Sequence, residues 1–394
     1  MTGKVRWVDN ARSAVGIGDR TALLERAFAA MPQNLRLRRR LCQAYQEAGA
    51  HDEACAVAEG FEADPVIALN AGIAHIGRRK HDRALALLHH AAASDLPAAE
   101  RALIGLYSSI GDDKRASQAA RSYLSRHPGD AQTIYQQAGR MLARRDTAAL
   151  RELVASHWDH LCLRPLLTDF ATQADICDGR ADMRAVLETY SAQIVRRTLA
   201  PAAGTMRDFC RSLAEELRDH PSLTHKTFGN ATLEGRRVTR LHANPPKHVA
   251  SLIAMLRAAV EEHLRANPQV LVASEAEGDA EPALMLNLWG VILTRQGRQG
   301  WHAHPAAVLS GVFYVDVPPL GQGAGAQEGA SDHAGWLLFG FPFAPPDRQQ
   351  GAAIPVRPRV GEVVLFPGHI PHRTLPHTGA GERISIAFDV VRAT

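Results

Sequence analysis

Two histidine-containing segments, far apart along the chain, constrain its fold more than any other feature. His302 and His304 stand two positions apart in the first segment, and His372 ends the second, 70 positions after His302. Side chains two positions apart on an extended segment point to the same face, because a strand alternates sides at every residue. Both imidazoles can therefore reach one metal ion, and a later strand can bring a third nitrogen to that ion if the sheet curls into a barrel.

The sequence after Ala283 has the pattern expected of such a barrel. Short apolar or alternating runs are separated by turn residues, and several runs with Gly- and Pro-rich breaks predict a sandwich or a small barrel. The predicted strands are Leu284–Val291, Val308–Val315, Trp336–Phe341, Val363–Phe366 and Ile384–Val391. Helices are expected before them at Asp208–Asp219 and Pro246–Ala266.

The part of the chain from Gly18 to His157 is rich in helix-forming residues and carries a repeat. Its markers are the helix-closing Gly49, Gly77 and Gly111, the small Ala54, Ala84 and Ala116, and the prolines Pro32, Pro65, Pro97 and Pro128. The spacing of these markers along the chain resembles that of tetratricopeptide repeats. Stacked helix pairs leave a concave surface that commonly holds a peptide or a partner protein. The alternative is a helical scaffold without a ligand.

Composition limits the classes of partner and compartment. A net charge of +4 over 394 residues gives little indication of a nucleic-acid partner. The five cysteines are scattered and lack CxxC spacing, which favours a reducing cytoplasm with unpaired thiols. The first residues lack the apolar core of a signal peptide. The sequence contains no run of 18 apolar residues, so no membrane span is predicted.

Five motifs in the last half of the chain resemble one enzyme family. They are Asn287-Leu288-Trp289, His302-Ala303-His304-Pro305, Ser310-Gly311-Val312-Phe313-Tyr314-Val315, Phe366-Pro367 continuing to His372, and Glu382-Arg383-Ile384-Ser385-Ile386-Ala387-Phe388. Together they resemble the Fe(II)- and 2-oxoglutarate-dependent oxygenases, in particular a bacterial and phage subgroup with the pattern His-x-His-Pro followed by Ser-Gly-Val-Tyr-Tyr-Val. The resemblance runs from Phe209 to Thr394.

The resemblance implies a set of cofactors and residues that hold them. Fe(II), 2-oxoglutarate and O2 are expected, with ascorbate as a candidate stimulant. The family usually binds iron with two histidines and one carboxylate. The far carboxylate of 2-oxoglutarate needs a fixed cation, and Arg383 fits that role, with the Ser385 hydroxyl adding a further bond. Asn287 is expected to bind cofactor on the same grounds. The alternative for Arg383 is a surface ion pair with Glu382.

The chain departs from the family pattern at one position, because His304 stands where the carboxylate is expected. Three ligand sets remain open. The first, favoured by spacing, consists of His302, His304 and His372. The second has His302 and His372 with a water molecule, and the third adds a distant carboxylate such as Asp316 or Asp332.

The expected fold class is an α+β multidomain chain with an N-terminal α-helical tetratricopeptide-like solenoid. Its C-terminal part is expected to be a double-stranded β-helix (jelly-roll or cupin-like) barrel with flanking helices. The expected domains are the helical repeats at 18–157, a helical connector at 158–205 and the oxygenase barrel at 206–394.

The leading functional prediction is a dioxygenase that hydroxylates or otherwise oxidises a C–H bond, forming succinate from 2-oxoglutarate. The repeats suggest a protein or peptide substrate, and a small-molecule substrate stays open. One alternative is a three-histidine cupin-type metalloenzyme without 2-oxoglutarate, which would not need Arg383. The other is a non-enzymatic repeat adaptor.

Overall fold

The computed structural model describes residues 5–8, 17–224, 231–271, 282–319, 333–344 and 352–393. The helices are α1 (Ile17–Ala30), α2 (Leu35–Ala48), α3 (His51–Ala58), α4 (Pro65–Gly77), α5 (His81–Ala92), α6 (Pro97–Ser109), α7 (Asp113–Arg126), α8 (Ala131–Ala143), α9 (Thr147–His157), α10 (Arg164–Cys177), α11 (Met183–Gln193), α12 (Met206–Arg218) and α13 (Lys247–Ala266). The strands are β1 (Arg6–Trp7), β2 (Val195–Thr198), β3 (Leu223–Thr224), β4 (Thr232–Val238), β5 (Ala283–His302), β6 (Leu309–Asp316), β7 (Leu337–Gly340), β8 (Ala353–Val356), β9 (Glu362–Phe366), β10 (His372–Thr374) and β11 (Arg383–Arg392).

The chain divides into two compact units. The helical unit comprises Val15–Gln137 and Thr224–Asn230, and the sheet unit comprises Met1–Ala14, Ala138–Leu223 and Ala231–Thr394. The three domain ranges expected from the sequence remain a prediction. Within the described residues, no helix is both long enough and apolar enough to cross a bilayer.

The sequence period of the helical unit coincides with pairs of helices. α2 and α3, α4 and α5, and α6 and α7 each pack together across a short turn. The recurring Ala54, Ala84 and Ala116 lie in the second helix of each pair and are fully buried, because only a small side chain fits between the packed helices. Pro65 and Pro97 are the first residues of α4 and α6, where the missing N–H costs no hydrogen bond. Assignment to the tetratricopeptide class remains a prediction.

The sheet unit is built around β5, whose 20 residues take part in both halves of a curled, mainly antiparallel sheet. Its first half pairs with β11 and its last residues pair with β10. Between them Gln296 has a left-handed φ of 69°. A side chain at the nearby Gly297 would collide with the Glu234 carbonyl oxygen of β4, so only glycine fits this bend.

The strand order places the ligand-bearing segments side by side. The main path is β2-β9-β6-β11-β5-β10-β7-β8, and β4 pairs with β5 off this path. All five strands predicted from the sequence fall on β5, β6, β7, β9 and β11, and both predicted helices fall on α12 and α13. A helical N-terminal region followed by a curled antiparallel sheet is therefore confirmed.

The two faces of the sheet have different roles. On β11 the even-numbered Ile384, Ile386 and Phe388 are fully buried in a core that includes α12 and α13. The odd-numbered Arg383 and Ser385 point to the other face, where a cavity lies. The helices thus support the sheet from outside and leave its inner face for polar groups.

Candidate metal centre

The three predicted histidines meet at one point on the inner face of the sheet. His302 is the last residue of β5 and His372 is the first of β10, and the two are directly opposite each other in the ladder. Their ring centroids are 4.3 Å apart, and the His304 ring lies 5.2 Å from His302 and 5.1 Å from His372. One potential ligand atom from each residue lies within 4.8 Å of the other two. This arrangement can hold a single metal ion.

The inner nitrogen of each ring already has a hydrogen-bond partner. The Nδ1 of His302 is 2.8 Å from the Gly300 carbonyl oxygen, and the Nδ1 of His372 is 3.0 Å from the Ile370 carbonyl oxygen. A carbonyl oxygen only accepts, so both Nδ1 atoms carry the proton. The Nε2 atoms of these rings therefore present lone pairs, which is the arrangement typical of metal-binding histidines.

Burial keeps His302 and His372 neutral. Removal from water, together with a smaller effect of the neighbouring His304, lowers the pKa of His302 to about 4. The pKa of His372 is lowered well below its usual value, again mainly by burial. Metal binding requires the neutral form of imidazole, so no proton has to be displaced from these rings near neutral pH.

His304 is positioned differently from the other two histidines. β5 ends at His302, so His304 lies beyond the ladder and not on the strand itself. Its N–H donates to the Gly368 carbonyl oxygen over 2.7 Å, and its ring stacks on Trp289 at a centroid distance of 5.5 Å. Its Nδ1 is 3.0 Å from Oδ2 of Asp389. His304 is therefore positioned by contacts with three other segments and not by strand pairing.

Arg383 is enclosed on the same face as the histidines. Its side chain is 1% exposed, and burial lowers its pKa. Its guanidinium carbon lies 5.1 Å from the centre of the Tyr314 ring, while Nε and Nη1 have no hydrogen-bond partner among the described residues. Buried donors without partners are costly, and an anion with two oxygens would satisfy them.

The alternative of a surface ion pair between Arg383 and Glu382 is wrong. Glu382 immediately precedes β11, and its carboxylate is engaged by other arginines. Its carboxylate accepts from Arg218 Nε at 3.0 Å and also from Arg236. Arg383 is left without an acidic partner on its own face among the residues that line the cavity.

The cavity brings the histidines, the guanidinium and a hydroxyl together. It encloses about 420 Å³, including solvent-filled space at its mouth. Its lining residues are Trp289, Gln299, His302, His304, Ser310, Gly311, Val312, Leu337, Phe366, His372, Thr374, Arg383, Ser385, Ala387 and Phe388. The wall therefore combines apolar side chains with imidazole, guanidinium, hydroxyl and amide groups.

Three other predicted or considered residues fall elsewhere. Asn287 lies opposite Asp389 in the ladder between β5 and β11 and does not line the cavity, so its cofactor role remains a prediction. Asp316 is exposed at the end of β6, also away from the cavity lining. Asp332 lies outside the described residues.

Asp389 is the functional candidate that reasoning from the sequence missed. It lies on β11 four residues after Ser385, on the same inner face. Extending the alternation that places Arg383 and Ser385 would have placed Asp389 with them. The sequence alone could not show that His304 stands within reach of it.

Comparison with known proteins agrees with this geometry. Residues 287–389, which contain all the candidate site residues, match the model of the family described as "Putative 2OG-Fe(II) oxygenase". A search of curated proteins gives no match.

Solved structures of similar proteins include three enzymes. A Pseudomonas putida prolyl-4-hydroxylase is 17% identical, with 54% of this chain and 100% of that chain covered and a TM-score of 0.34. HygX from Streptomyces hygroscopicus, solved with nickel and 2-oxoglutarate, is 15% identical, with coverage of 54% and 87% and a TM-score of 0.33. A Trichoplax adhaerens prolyl hydroxylase, solved with a peptide fragment, is 9% identical, with coverage of 53% and 88% and a TM-score of 0.35.

The family match supports the resemblance that the motifs indicated, while the subgroup pattern and the tetratricopeptide resemblance remain predictions. Residues 287–389, about a quarter of the chain, are thus similar to the family described as putative 2OG-Fe(II) oxygenases.

Proposed function

We propose that this protein is an Fe(II)- and 2-oxoglutarate-dependent dioxygenase that hydroxylates or otherwise oxidises a C–H bond. One observation supports this proposal above all others. Three imidazoles share a cavity with a buried guanidinium, two of whose donor nitrogens have no partner among the residues that the structure describes. The double-stranded β-helix is the barrel type that we propose for the curled sheet.

The proposed metal ligands are the Nε2 atoms of His302, His304 and His372. Each Nδ1 is already engaged with an acceptor, so the three lone pairs are free to converge on one ion. Three protein ligands leave positions open for other ligands on an octahedral ion. When bound, Fe(II) and 2-oxoglutarate supply the oxidative chemistry, in which 2-oxoglutarate and O2 yield succinate, CO2 and an oxidised substrate.

Arg383 and Ser385 are the proposed residues for the far carboxylate of 2-oxoglutarate. Both are buried, lie two positions apart on β11 and face the cavity. A guanidinium presents paired donors that match two carboxylate oxygens, and the Ser385 hydroxyl can donate to one of them. These residues bind and orient 2-oxoglutarate, while the apolar wall formed by Val312, Leu337 and Phe366 limits the access of water.

The buried guanidinium of Arg383 also distinguishes this proposal from the cupin-type enzyme and from the non-enzymatic adaptor. A cupin-type metalloenzyme without 2-oxoglutarate would leave a buried cation without an anion, and an unpaired buried charge costs several kcal/mol. A non-enzymatic adaptor would need neither the cation nor three converging imidazoles. The site as built is therefore better explained by binding of both a metal and a dicarboxylic acid.

The substrate and the compartment are finer proposals. We propose that the helix pairs of the helical unit deliver a protein or peptide substrate; a small-molecule substrate is the competing proposal. The five cysteines are unpaired, which supports a cytoplasmic location. The domain limits 18–157, 158–205 and 206–394 are retained as part of the proposal.

The test is direct binding and turnover. The Ni(II)-loaded protein is titrated with 2-oxoglutarate by calorimetry, and succinate formation is measured aerobically with Fe(II). His372→Gln is expected to lose both signals, because it removes one of the three nitrogens. The matched control is His263→Gln, since His263 is also buried but lies in α13. Metal binding with neither 2-oxoglutarate binding nor succinate would contradict the proposal and favour the cupin alternative.

A further inference from the structure

We propose that Asp389 supplies, through the ring of His304, the carboxylate that the metal ligand set lacks. In this proposal Asp389 is a positioning residue that orients His304 and adds one negative charge next to the metal centre. The proposal rests on the proposed function, because it requires His304 to be a metal ligand.

The carboxylate of Asp389 is held at both oxygens. Oδ2 accepts from His304 Nδ1 over 3.0 Å, and Oδ1 accepts from the Ser310 hydroxyl over 2.7 Å. Ser310 stands directly opposite Asp389 in the ladder between β6 and β11, so the pair is fixed by strand register. An ionised carboxylate only accepts, which assigns the proton to Nδ1 and leaves the Nε2 lone pair of His304 for a metal.

His304 is the only one of the three candidate ligands with this kind of partner. His302 and His372 each donate Nδ1–H to a backbone carbonyl oxygen two positions earlier in the chain. A carbonyl is a neutral dipole, whereas a carboxylate makes a charge-assisted bond and raises the basicity of the far ring nitrogen. His304 should therefore be the strongest donor of the three.

The position of His304 explains why such a partner is needed. The ladder positions His302 and His372 directly, but His304 lies past the end of β5. Trp289 covers one face of its ring, and the guanidinium of Arg237 lies 5.1 Å from the Trp289 ring centre. Stacking fixes the plane of the ring but still allows the ring to flip about its Cβ–Cγ bond. The bond to Asp389 selects one of the two orientations and so fixes the direction of Nε2.

The charge balance of the centre follows from the same contact. Two histidines and a directly bound carboxylate carry one negative charge, whereas three neutral histidines carry none. Asp389 restores one negative charge at a distance of one imidazole from the metal. The negative charge thus lies behind one ligand and not on the metal itself, and the cation of Arg237 also acts on Asp389 and His302.

The test compares metal affinities of the wild type, Asp389→Asn and Asp389→Glu. Asparagine keeps an oxygen that can accept from His304 Nδ1 but removes the charge. Affinity for Fe(II), measured anaerobically by competition with a chromophoric chelator, is expected to fall about 10- to 100-fold in Asp389→Asn. Asp389→Glu keeps the charge and is expected to bind Fe(II) more tightly than Asp389→Asn.

Two further measurements separate positioning of the metal ligand from a purely structural role. The thermal unfolding of the metal-free proteins is expected to be nearly the same for wild type and Asp389→Asn, while the visible absorption spectrum of the Co(II)-loaded forms is expected to differ. Equal affinity of Asp389→Asn and wild type overturns this inference alone, as does equal weakening in the Asn and Glu variants. A loss of affinity accompanied by an equal loss of metal-free stability also overturns it. Failure of the wild type to bind any metal overturns the proposed function as well.

Discussion

Replacing Arg383 by methionine is expected to stabilise the cofactor-free protein and to abolish its binding of 2-oxoglutarate. Methionine has a similar length, needs no hydrogen bonds and suits a buried position. The two opposite effects arise from one feature, a fully buried guanidinium with two donor nitrogens that lack a partner in the described part of the chain.

The size of the stability change can be worked out from the contacts. Two buried donors without partners cost about 1–3 kcal/mol each. Loss of the contact between the guanidinium and the Tyr314 ring reduces this gain in stability by about 0.5–2 kcal/mol. The variant should therefore be more stable by a few kcal/mol, and each kcal/mol shifts Tm by about 2–4 °C in domains of 150–250 residues.

The change in affinity follows from the bonds that the guanidinium would make to a carboxylate. Two charge-assisted hydrogen bonds contribute about 1.5–3 kcal/mol each. At about 1.4 kcal/mol per tenfold change, their loss weakens 2-oxoglutarate binding by at least about 100-fold. Calorimetric titration of the Ni(II)-loaded protein measures the affinity, and scanning calorimetry without 2-oxoglutarate measures Tm.

The matched control is Arg373→Met. Arg373 lies next to His372 on β10, its guanidinium is 4.9 Å from the Trp301 ring centre, and it does not line the cavity. Arg373→Met should leave 2-oxoglutarate binding unchanged. The reasoning is refuted if Arg383→Met lowers Tm and still binds 2-oxoglutarate as the wild type does.

Two other predictions concern a glycine near the metal centre and a buried carboxyl group. In Gly368→Ala the new methyl group would lie 2.5 Å from the Ala307 carbonyl oxygen and 2.7 Å from that of His304, so the segment must shift. Ni(II) affinity is expected to fall about 10-fold or more; unchanged affinity would show that His304 is not held by this contact. Burial raises the pKa of Asp169 to about 7, whereas the unfolded chain ionises near pH 4. Its protonated form therefore stabilises the fold at low pH, and this contribution is lost as the pH rises towards 7. Asp169→Asn should gain stability relative to the wild type between pH 5 and pH 8 in urea unfolding, and a constant difference across that range would contradict the shift.

The fold was predictable wherever a local period determines structure. Alternation along β11 placed Arg383 and Ser385 on one face. The Ala54, Ala84 and Ala116 period predicted helix packing positions in the same way. These features depend on side-chain direction within one element, which sequence specifies directly. His304 is a different case, because it lies past the end of β5 and is positioned by contacts with other segments.

The features of the fold and the site that the sequence did not predict depend on pairing between distant segments. β10 has only three residues, and its pairing with β5 fixes the place of His372. The polar stretch around Gln296 looks like a turn, yet β5 continues through it because β4 pairs with both of its halves. The partnership of Asp389 with His304 likewise depends on register between strands and on where β5 ends. No property of the isolated segments encodes these three outcomes.

The place of β11 between β5 and β6 has a consequence for how the protein matures. β11 follows every strand that it joins in the chain, so β5 and β6 expose unpaired edges until it inserts. Arg383 and Asp389 lie on that same strand. If the proposed function holds, the protein must complete its sheet before it can bind iron tightly, so metal binding would report that the final strand has docked.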